Sequence, residues 1–137
     1  MKKILVVASD KAEIKGLGGE FLTLVSGVGP IFAAARASGE IVKTGAEVVV
    51  SVGTCGSMGR IKRGEVVSFS TVVTPDQDLS AMHLSLGTTI DWNRSTIKEL
   101  RTADRKSWLT LLSAGTLTSS YSDVFSSCSP DCVDMEA

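Results

Sequence analysis

The sequence is poor in the residues on which metal and nucleic-acid sites depend. Its 137 residues include one histidine and three cysteines, and its formal net charge is −1. The cysteines are odd in number and lack the spacing of zinc ligands, so we expect no metal site. Without an overall basic field, we expect no nucleic-acid or membrane partner. The simplest interpretation is a reduced, cytoplasmic protein.

No apolar run is long enough for export or for membrane insertion. Met1-Lys-Lys3 followed by Ile4–Ala8 resembles the start of a signal peptide, but the apolar run ends after five residues. A membrane span needs about 20 residues. The composition, 43% hydrophobic and 21% charged, is that of an ordinary globular protein. We therefore expect one domain over residues 1–137 that begins with a buried strand.

The first third of the chain predicts a βαβ unit. Apolar runs predict strands over Lys3–Ala8, Glu20–Val25 and Glu47–Val52. Between the last two, helical spacing begins at Pro30 and ends at Gly45, which suit a helix start and a C-cap. The strands of such a unit should be parallel.

The rest of the chain completes an α/β pattern. It predicts strands over Glu65–Val73, Met82–Leu86 and Ser107–Ala114, and a helix over Thr96–Asp104. Near the N-terminus, a short helix is predicted over Lys11–Lys15. We expect a three-layer α/β/α fold with a central mixed, largely parallel sheet. Ligands of such sheets bind outside the carboxyl ends of the strands.

One glycine-rich loop follows the third strand, over Ser51–Gly59. It contains three glycines and three hydroxyl side chains: Gly53, Gly56, Gly59, Ser51, Thr54 and Ser57. Glycine allows a close approach of the backbone, so the loop can offer N–H and O–H donors to an oxygen-rich ligand. The pattern alone also fits a simple tight turn.

Five short segments, taken in order, carry a more specific signal. They are Val6-Val-Ala8 with Glu13 shortly after, Ser26-Gly-Val-Gly-Pro-Ile-Phe-Ala-Ala34, Val52-Gly-Thr-Cys-Gly56, Gly64-Glu-Val-Val67 and Val133-Asp-Met-Glu-Ala137. In this order they resemble the nucleoside phosphorylase and nucleosidase superfamily, particularly its methylthioadenosine/S-adenosylhomocysteine nucleosidase branch. The resemblance implies cleavage of the N-glycosidic bond of a purine nucleoside, without a cofactor, by a homo-oligomer.

The resemblance also implies roles for individual residues. Glu13 would orient and activate the attacking water, and the Thr54 hydroxyl would lie near that water. Met135 would pack on the ribose, and Glu136 would accept hydrogen bonds from its two hydroxyls. The substrate-binding loops would contain Gly27, Gly29, Gly53, Cys55, Gly56, Leu117 and Thr118.

Two departures from the family pattern leave alternatives open. Ser51 stands where phosphorylases often place a phosphate-binding arginine, which favours hydrolysis over a reaction with phosphate as co-substrate. Arg36, Arg60 or Arg63 would be the substitutes in a phosphorylase. The sequence also ends at Ala137, before the family's aspartate that protonates the leaving base, so we expect a C-terminally incomplete domain. A catalytically impaired nucleoside-binding or assembly protein is the remaining alternative.

The cysteines are expected to have structural and not catalytic roles. Cys55 is expected to be a small packing residue of the loop, since no histidine is placed to activate it. Cys128 and Cys132 are close enough in sequence to pair on oxidation, but free thiols are the simpler expectation.

Overall fold

The computed structural model describes residues 2–74, 80–83, 89–91, 95–97, 100–101, 109–114 and 129–135. Contacts divide the chain into two compact units, of which the first is Met1–Thr54 with Met135–Ala137 and the second is Cys55–Asp134. The expectation that residues 1–137 form one domain stays a prediction.

The first unit contains the predicted βαβ arrangement. Its elements are β1 (Ile4–Ala8), β2 (Leu22–Val25), α1 (Pro30–Thr44) and β3 (Val48–Ser51). The sheet order is β2-β1-β3, and β1 is parallel to both neighbours. Central β1 holds the core of the unit, because its residues from Leu5 to Ala8 are all buried.

Helix α1 begins and ends where the sequence predicts. Pro30 takes the first helical position, where its missing N–H has no intrahelical partner to lose. Gly45 closes the helix in the left-handed conformation and donates its N–H to the Ile41 carbonyl at 2.8 Å. The helix contacts β1 and β2. Its outer residues Ile31 and Val42 are 82% and 83% exposed.

The second unit is built on a mixed sheet. Its strands are β4 (Gly56–Ser57), β5 (Thr71–Val73), β6 (Thr89–Asp91), β7 (Ser95–Ile97), β8 (Leu100–Arg101), β9 (Thr110–Ser113) and β10 (Cys132–Asp134). The main sheet has the order β4-β10-β9-β5-β8, and β6 and β7 form a separate antiparallel pair. Strands β10, β9 and β5 are parallel, whereas β4 and β8 pair antiparallel at the edges. Leu112 and Cys132 lie at the buried centre.

These sheets confirm the predicted α/β class with mixed, largely parallel strands, but four local predictions are wrong. The strand expected over Glu65–Val73 is limited to Thr71–Val73. This stretch pairs with β9 and β8, whereas Val66 is 97% exposed. High β-propensity alone does not extend a strand, because the propensity reflects packing of the side chains against neighbouring strands.

The helix expected over Thr96–Asp104 is also wrong. Ser95–Ile97 is a strand whose residues pair with Thr89–Asp91, and Leu100–Arg101 is a further strand paired with β5. Tertiary pairing of β-branched residues outweighs the weak helical spacing there.

Two short elements differ as well. Residues 11–16 form turns instead of the helix predicted over Lys11–Lys15. Their backbone hydrogen bonds join residues three positions apart, as from the Glu13 N–H to the Asp10 carbonyl at 3.2 Å. Ser80–Met82 is a 3₁₀ turn, so Met82 does not begin the short strand predicted there. Residues 84–86 and the loop with Leu117 and Thr118 lie outside the described residues.

Candidate functional site

The carboxyl ends of β1, β2 and β3 define one edge of the first unit's sheet. The three strands are parallel, so the segments that follow them, 9–13, 26–29 and 52–54, all leave the sheet at this edge. The first carries Glu13, the second carries the Ser26–Gly29 turn, and the third carries Thr54. The sheet therefore brings together segments that are far apart in sequence, at the edge where such folds bind ligands.

Glu13 and Thr54 are in direct contact. Glu13 Oε1 accepts a hydrogen bond from the Thr54 backbone N–H at 2.9 Å and another from Thr54 Oγ1 at 3.1 Å. The two residues are 41 positions apart in sequence. Both were predicted as catalytic residues, and the structure places them together.

The other oxygen of the same carboxylate is held by the start of its own turn. Glu13 Oε2 accepts hydrogen bonds from the Ser9 N–H at 3.1 Å, from Ser9 Oγ at 2.8 Å and from the Asp10 N–H at 3.2 Å. Asp10 Oδ1 in turn accepts the Ala12 N–H at 2.7 Å. This reciprocal arrangement is a capping box.

The contact of Glu13 with Ser9 was not predicted, although the sequence contains a signal for it. Asp10 and Glu13 have the three-residue spacing of a capping box, which directs the glutamate side chain back to the start of the turn. Ser9 precedes that start, so its hydroxyl reaches the same oxygen.

The hydrogen bonds keep Glu13 ionised. Partial burial by itself raises the pKa of Glu13, but donation from the Thr54 N–H, Ser9, Asp10 and the Thr54 hydroxyl outweighs it, so the pKa lies below its ordinary value. The donors among the described residues are all neutral, so hydrogen bonding from them, and not an ion pair with them, stabilises the ionised carboxylate.

Glycine at position 53 allows this contact. A Cβ atom at Gly53 would lie 3.4 Å from Glu13 Oε1, at the limit of close contact. Gly27 and Gly29, in the turn after β2, have positive φ values of 82° and 101°, which side chains rarely adopt. The backbone therefore favours glycine at positions 27 and 29, whereas at position 53 a Cβ atom would only just touch the Glu13 side chain.

The Glu13 carboxylate is saturated with donors. Five N–H and O–H groups reach it, whereas two carboxylate oxygens offer about four lone-pair sites. A water molecule or a ligand hydroxyl must therefore replace one of these donors in order to bind Glu13. The exposed Thr54 hydroxyl can rotate away without loss of the backbone bond, so it is the donor most easily replaced.

Of the remaining predicted site residues, Cys55 and Gly56 lie before and in β4 of the second unit, and Met135 follows β10 in the chain. Gly56 pairs with Val133, and a Cβ atom at Gly56 would lie only 3.2 Å from Val133 Cγ2. Cys55 is exposed, so the expectation that it packs inside the loop is wrong. Met135 is half-buried, whereas Glu136, Leu117 and Thr118 lie outside the described residues.

Two of the three arginines considered as phosphate ligands have other partners. Arg36 donates to the Val25 carbonyl at 3.4 Å and lies over the Phe32 ring, 5.6 Å from its centroid. Arg60 pairs with Asp131 at 3.1 Å. Neither therefore shows a contact with Glu13 or Thr54 among the described residues.

The described residues contain neither a metal-binding cluster nor a membrane-spanning helix. No group of three or more histidine, cysteine, aspartate or glutamate side chains in them is arranged to hold a metal ion. No helix in the same part of the chain has the length and apolar character needed to cross a bilayer.

Comparison with known proteins gives matches by structure alone. No family model and no curated protein matches the sequence. A 5′-methylthioadenosine/S-adenosylhomocysteine nucleosidase from Neisseria meningitidis, solved with methylthio-immucillin-A, is similar with a TM-score of 0.81 and 16% identity, over 100% of this chain and 77% of that chain. A putative nucleosidase of the same description from Francisella philomiragia gives 0.80 and 16%, over 100% and 76%.

A third solved structure carries a different description. A futalosine hydrolase mutant of Helicobacter pylori matches with a TM-score of 0.80 and 18% identity, over 100% of this chain and 80% of that chain. At such low identity these likenesses establish the fold. The fold implied by the ordered sequence segments is thus confirmed: the chain has the fold of the nucleoside phosphorylases and nucleosidases.

Proposed function

We propose that this protein cleaves the N-glycosidic bond of a purine nucleoside by hydrolysis. The observation that carries the proposal is the Glu13 carboxylate, held ionised by Thr54 and Ser9 at the carboxyl edge of the first unit's sheet. It belongs to a fold shared with nucleosidases and futalosine hydrolase.

The proposed mechanism uses Glu13 as the group that orients the nucleophile. A water molecule takes the place of the Thr54 hydroxyl on Glu13 Oε1 and directs its oxygen at the anomeric carbon. As the C–N bond breaks, positive charge develops on the sugar, and the nearby negative charge of Glu13 stabilises it. Glu13 then accepts a proton from the water as the new C–O bond forms, and the departing base takes up a proton from solvent, to which Glu13 afterwards releases its own.

Hydrolysis is favoured over phosphorolysis by the charges around the site. Phosphate requires cationic or bidentate donors, and arginine is the usual choice. Ser51 occupies the position before the glycine loop, while Arg36 and Arg60 contact other groups. An anionic Glu13 without a described cation beside it would repel phosphate and accept water.

The rest of the substrate site is proposed from the resemblance. Met135 would pack on the ribose, Glu136 would bind its hydroxyls, and the loop with Leu117 and Thr118 would contribute to the purine pocket. We also propose that the protein is a cytoplasmic homo-oligomer and that its reaction needs no cofactor.

The substrate class is a purine nucleoside with a substituted 5′ position. The structural neighbours are described as acting on methylthioadenosine and S-adenosylhomocysteine or on futalosine. We propose methylthioadenosine-type nucleosides as substrates, with futalosine as the comparison.

The test is release of the free base from methylthioadenosine, S-adenosylhomocysteine and futalosine, each with and without phosphate. Hydrolysis predicts base release at the same rate in both conditions, with free sugar as the second product. Release only with phosphate, together with a sugar 1-phosphate, would show a phosphorylase. Calorimetric binding of these nucleosides without turnover would show the impaired binding protein instead.

A further inference from the structure

Two cysteines lie close to the pairing of β4 with β10, within the second unit. Strands β4 and β10 are antiparallel, with Ser57 opposite Cys132 and Gly56 opposite Val133. Cys55 is two residues before Ser57, so it is disposed toward the same side of the ribbon as Cys132. The Cys55 thiol lies near enough to Cys132 to contribute to a raised pKa of the Cys132 thiol.

The two thiols have opposite environments. Cys55 is exposed, whereas Cys132 is 1% exposed. Burial, the interaction with the nearby Cys55 thiol and the charge of Asp131 raise the pKa of Cys132 to about 12. Cys132 is therefore a protonated thiol at neutral pH, and Cys55 is the one of the two that an oxidant in solution can reach.

We propose that Cys55 and Cys132 form a redox-responsive dithiol that a peroxide converts into an intrachain disulfide. Cys55 is the attacking residue because it meets solvent, and Cys132 is the resolving residue because it is buried against Cys55. This differs from the pairing of Cys128 with Cys132 that sequence proximity suggests.

The chemistry balances in two steps. The Cys55 thiolate attacks one oxygen of hydrogen peroxide, the O–O bond breaks, and Cys55 sulfenic acid and hydroxide form. The Cys132 sulfur then attacks the Cys55 sulfur, the S–OH bond breaks, and the Cys132 proton leaves with the hydroxyl group as water. Two thiols lose two electrons and two protons in total, and one peroxide becomes two waters. A small dithiol reverses the change by exchange.

The backbone around Cys55 can accommodate the new bond. A disulfide needs a sulfur–sulfur distance of about 2.05 Å, shorter than any thiol hydrogen bond, so one residue must move. Cys132 is fixed by pairing with both β4 and β9, whereas Cys55 precedes the first paired residue of β4. We therefore expect Cys55 to move toward β10.

That movement has a consequence for the proposed function, on which this step rests. Thr54 directly precedes Cys55 in the chain and donates its N–H to Glu13 at 2.9 Å. Displacement of Cys55 pulls on this donor, so oxidation should reduce base release and reduction should restore it.

The decisive experiment measures formation of the disulfide between Cys55 and Cys132. A Cys128→Ser variant of the full chain, which retains two thiols, is treated with hydrogen peroxide and analysed by thiol titration and by mass spectrometry of its peptides. We expect both thiols to disappear together, a peptide joined through Cys55 and Cys132, and recovery of both thiols with dithiothreitol. Thiols that persist, or peroxide products without the joined peptide, would overturn the proposal.

Matched variants assign the two roles. In the Cys128→Ser background, Cys132→Ser should accumulate a sulfenic acid at Cys55 that dimedone traps, while Cys55→Ser should leave Cys132 unreacted. Rapid peroxide reaction of Cys132 in the second variant would contradict the assigned order. Circular dichroism of each variant checks that the fold is retained.

Base release is measured in parallel. Reversible loss of at least half the rate on oxidation is expected in the Cys128→Ser protein and not in Cys55→Ser. Unchanged turnover with the disulfide formed would overturn the link to Thr54. Absence of turnover in the reduced protein would contradict the proposed function and leave the disulfide result intact.

Discussion

Glu13 in the first unit and Asp131 in the second are both carboxylates that accept backbone N–H groups, but their other partners differ. Glu13 is held by neutral donors alone, from Ser9, Asp10 and Thr54. Asp131 is 3% exposed and accepts the Thr110 N–H at 2.9 Å and the Arg60 guanidinium at 3.1 Å.

The difference separates a carboxylate suited to chemistry from one suited to structure. A cation beside a carboxylate fixes its charge and occupies an oxygen that a water molecule would need. Neutral hydroxyl donors can rotate away, and they leave the negative charge free to act on a substrate. We therefore assign Glu13 to the reaction and Asp131 to the joining of β9, β10 and the loop that contains Arg60.

The largest expected effect is on activity at Glu13. Glu13→Gln keeps the size of the side chain but removes the charge and the ability to accept a proton, so kcat/KM for base release should fall about 10²- to 10⁴-fold. Glu20→Gln, at an exposed position, is the matched control and should leave the rate unchanged. A Glu13→Gln enzyme with normal activity would remove the basis of the assignment.

Asp131→Asn should lower stability and not catalysis. The substitution removes the negative charge that pairs with Arg60, and it places an amide NH₂ group against one of the two donors, the Arg60 guanidinium or the Thr110 N–H. The free energy of unfolding should therefore fall by about 1–3 kcal/mol. Urea unfolding followed by circular dichroism measures the change, and base release below the transition should be close to that of the unsubstituted protein. A large loss of kcat without a shift of the urea midpoint would reverse the comparison.

The pH dependence of stability offers a smaller effect at Glu13. Its folded pKa is lower than that of an unfolded glutamate, about 4.3. Its stabilising contribution is thus complete above the unfolded pKa and is lost as pH falls through the folded pKa. The urea midpoints of the unsubstituted protein and Glu13→Gln should differ most near neutral pH and converge on acidification. A gap that widens toward low pH would contradict the lowered pKa.

Arg60→Gln should give the smallest effect. The Arg60 side chain is 75% exposed, so its ion pair is screened by water and should contribute less than about 1 kcal/mol. The urea midpoint should therefore shift less than for Asp131→Asn. An equal or larger shift would mean that the guanidinium, and not the Thr110 N–H, is the main partner of Asp131.

The sequence predicted best where local signals and tertiary packing agree. Pro30 and Gly45 mark the ends of α1 by their own backbone preferences, and the apolar runs of β1 and β3 are long enough to identify buried parallel strands. The contact of Glu13 with Thr54 was predictable only through the resemblance, since no local pattern links two residues 41 positions apart.

The sequence failed where pairing partners decide the structure. Residues 65–69 have high β-propensity but do not form a strand, and Thr96 and Ile97 fit a helix as well as a strand until Thr89 and Ile90 lie opposite. The sequence indicated free thiols, with Cys128 as the cysteine that Cys132 could reach on oxidation, whereas the β4–β10 pairing places Cys132 next to the strand that Cys55 precedes. These outcomes depend on distant residues that a single sequence does not identify.

The central position of β1 also governs when the site can form during synthesis. β1 leaves the ribosome more than 40 residues before its partner β3, and Thr54 comes after that. Non-local pairing of this kind is slow because the intervening chain must be closed before any contact stabilises it. Until then, Glu13 has only the capping box of its own turn. Nascent chains that stall before residue 54 would therefore carry an exposed apolar β1 and would need protection from aggregation.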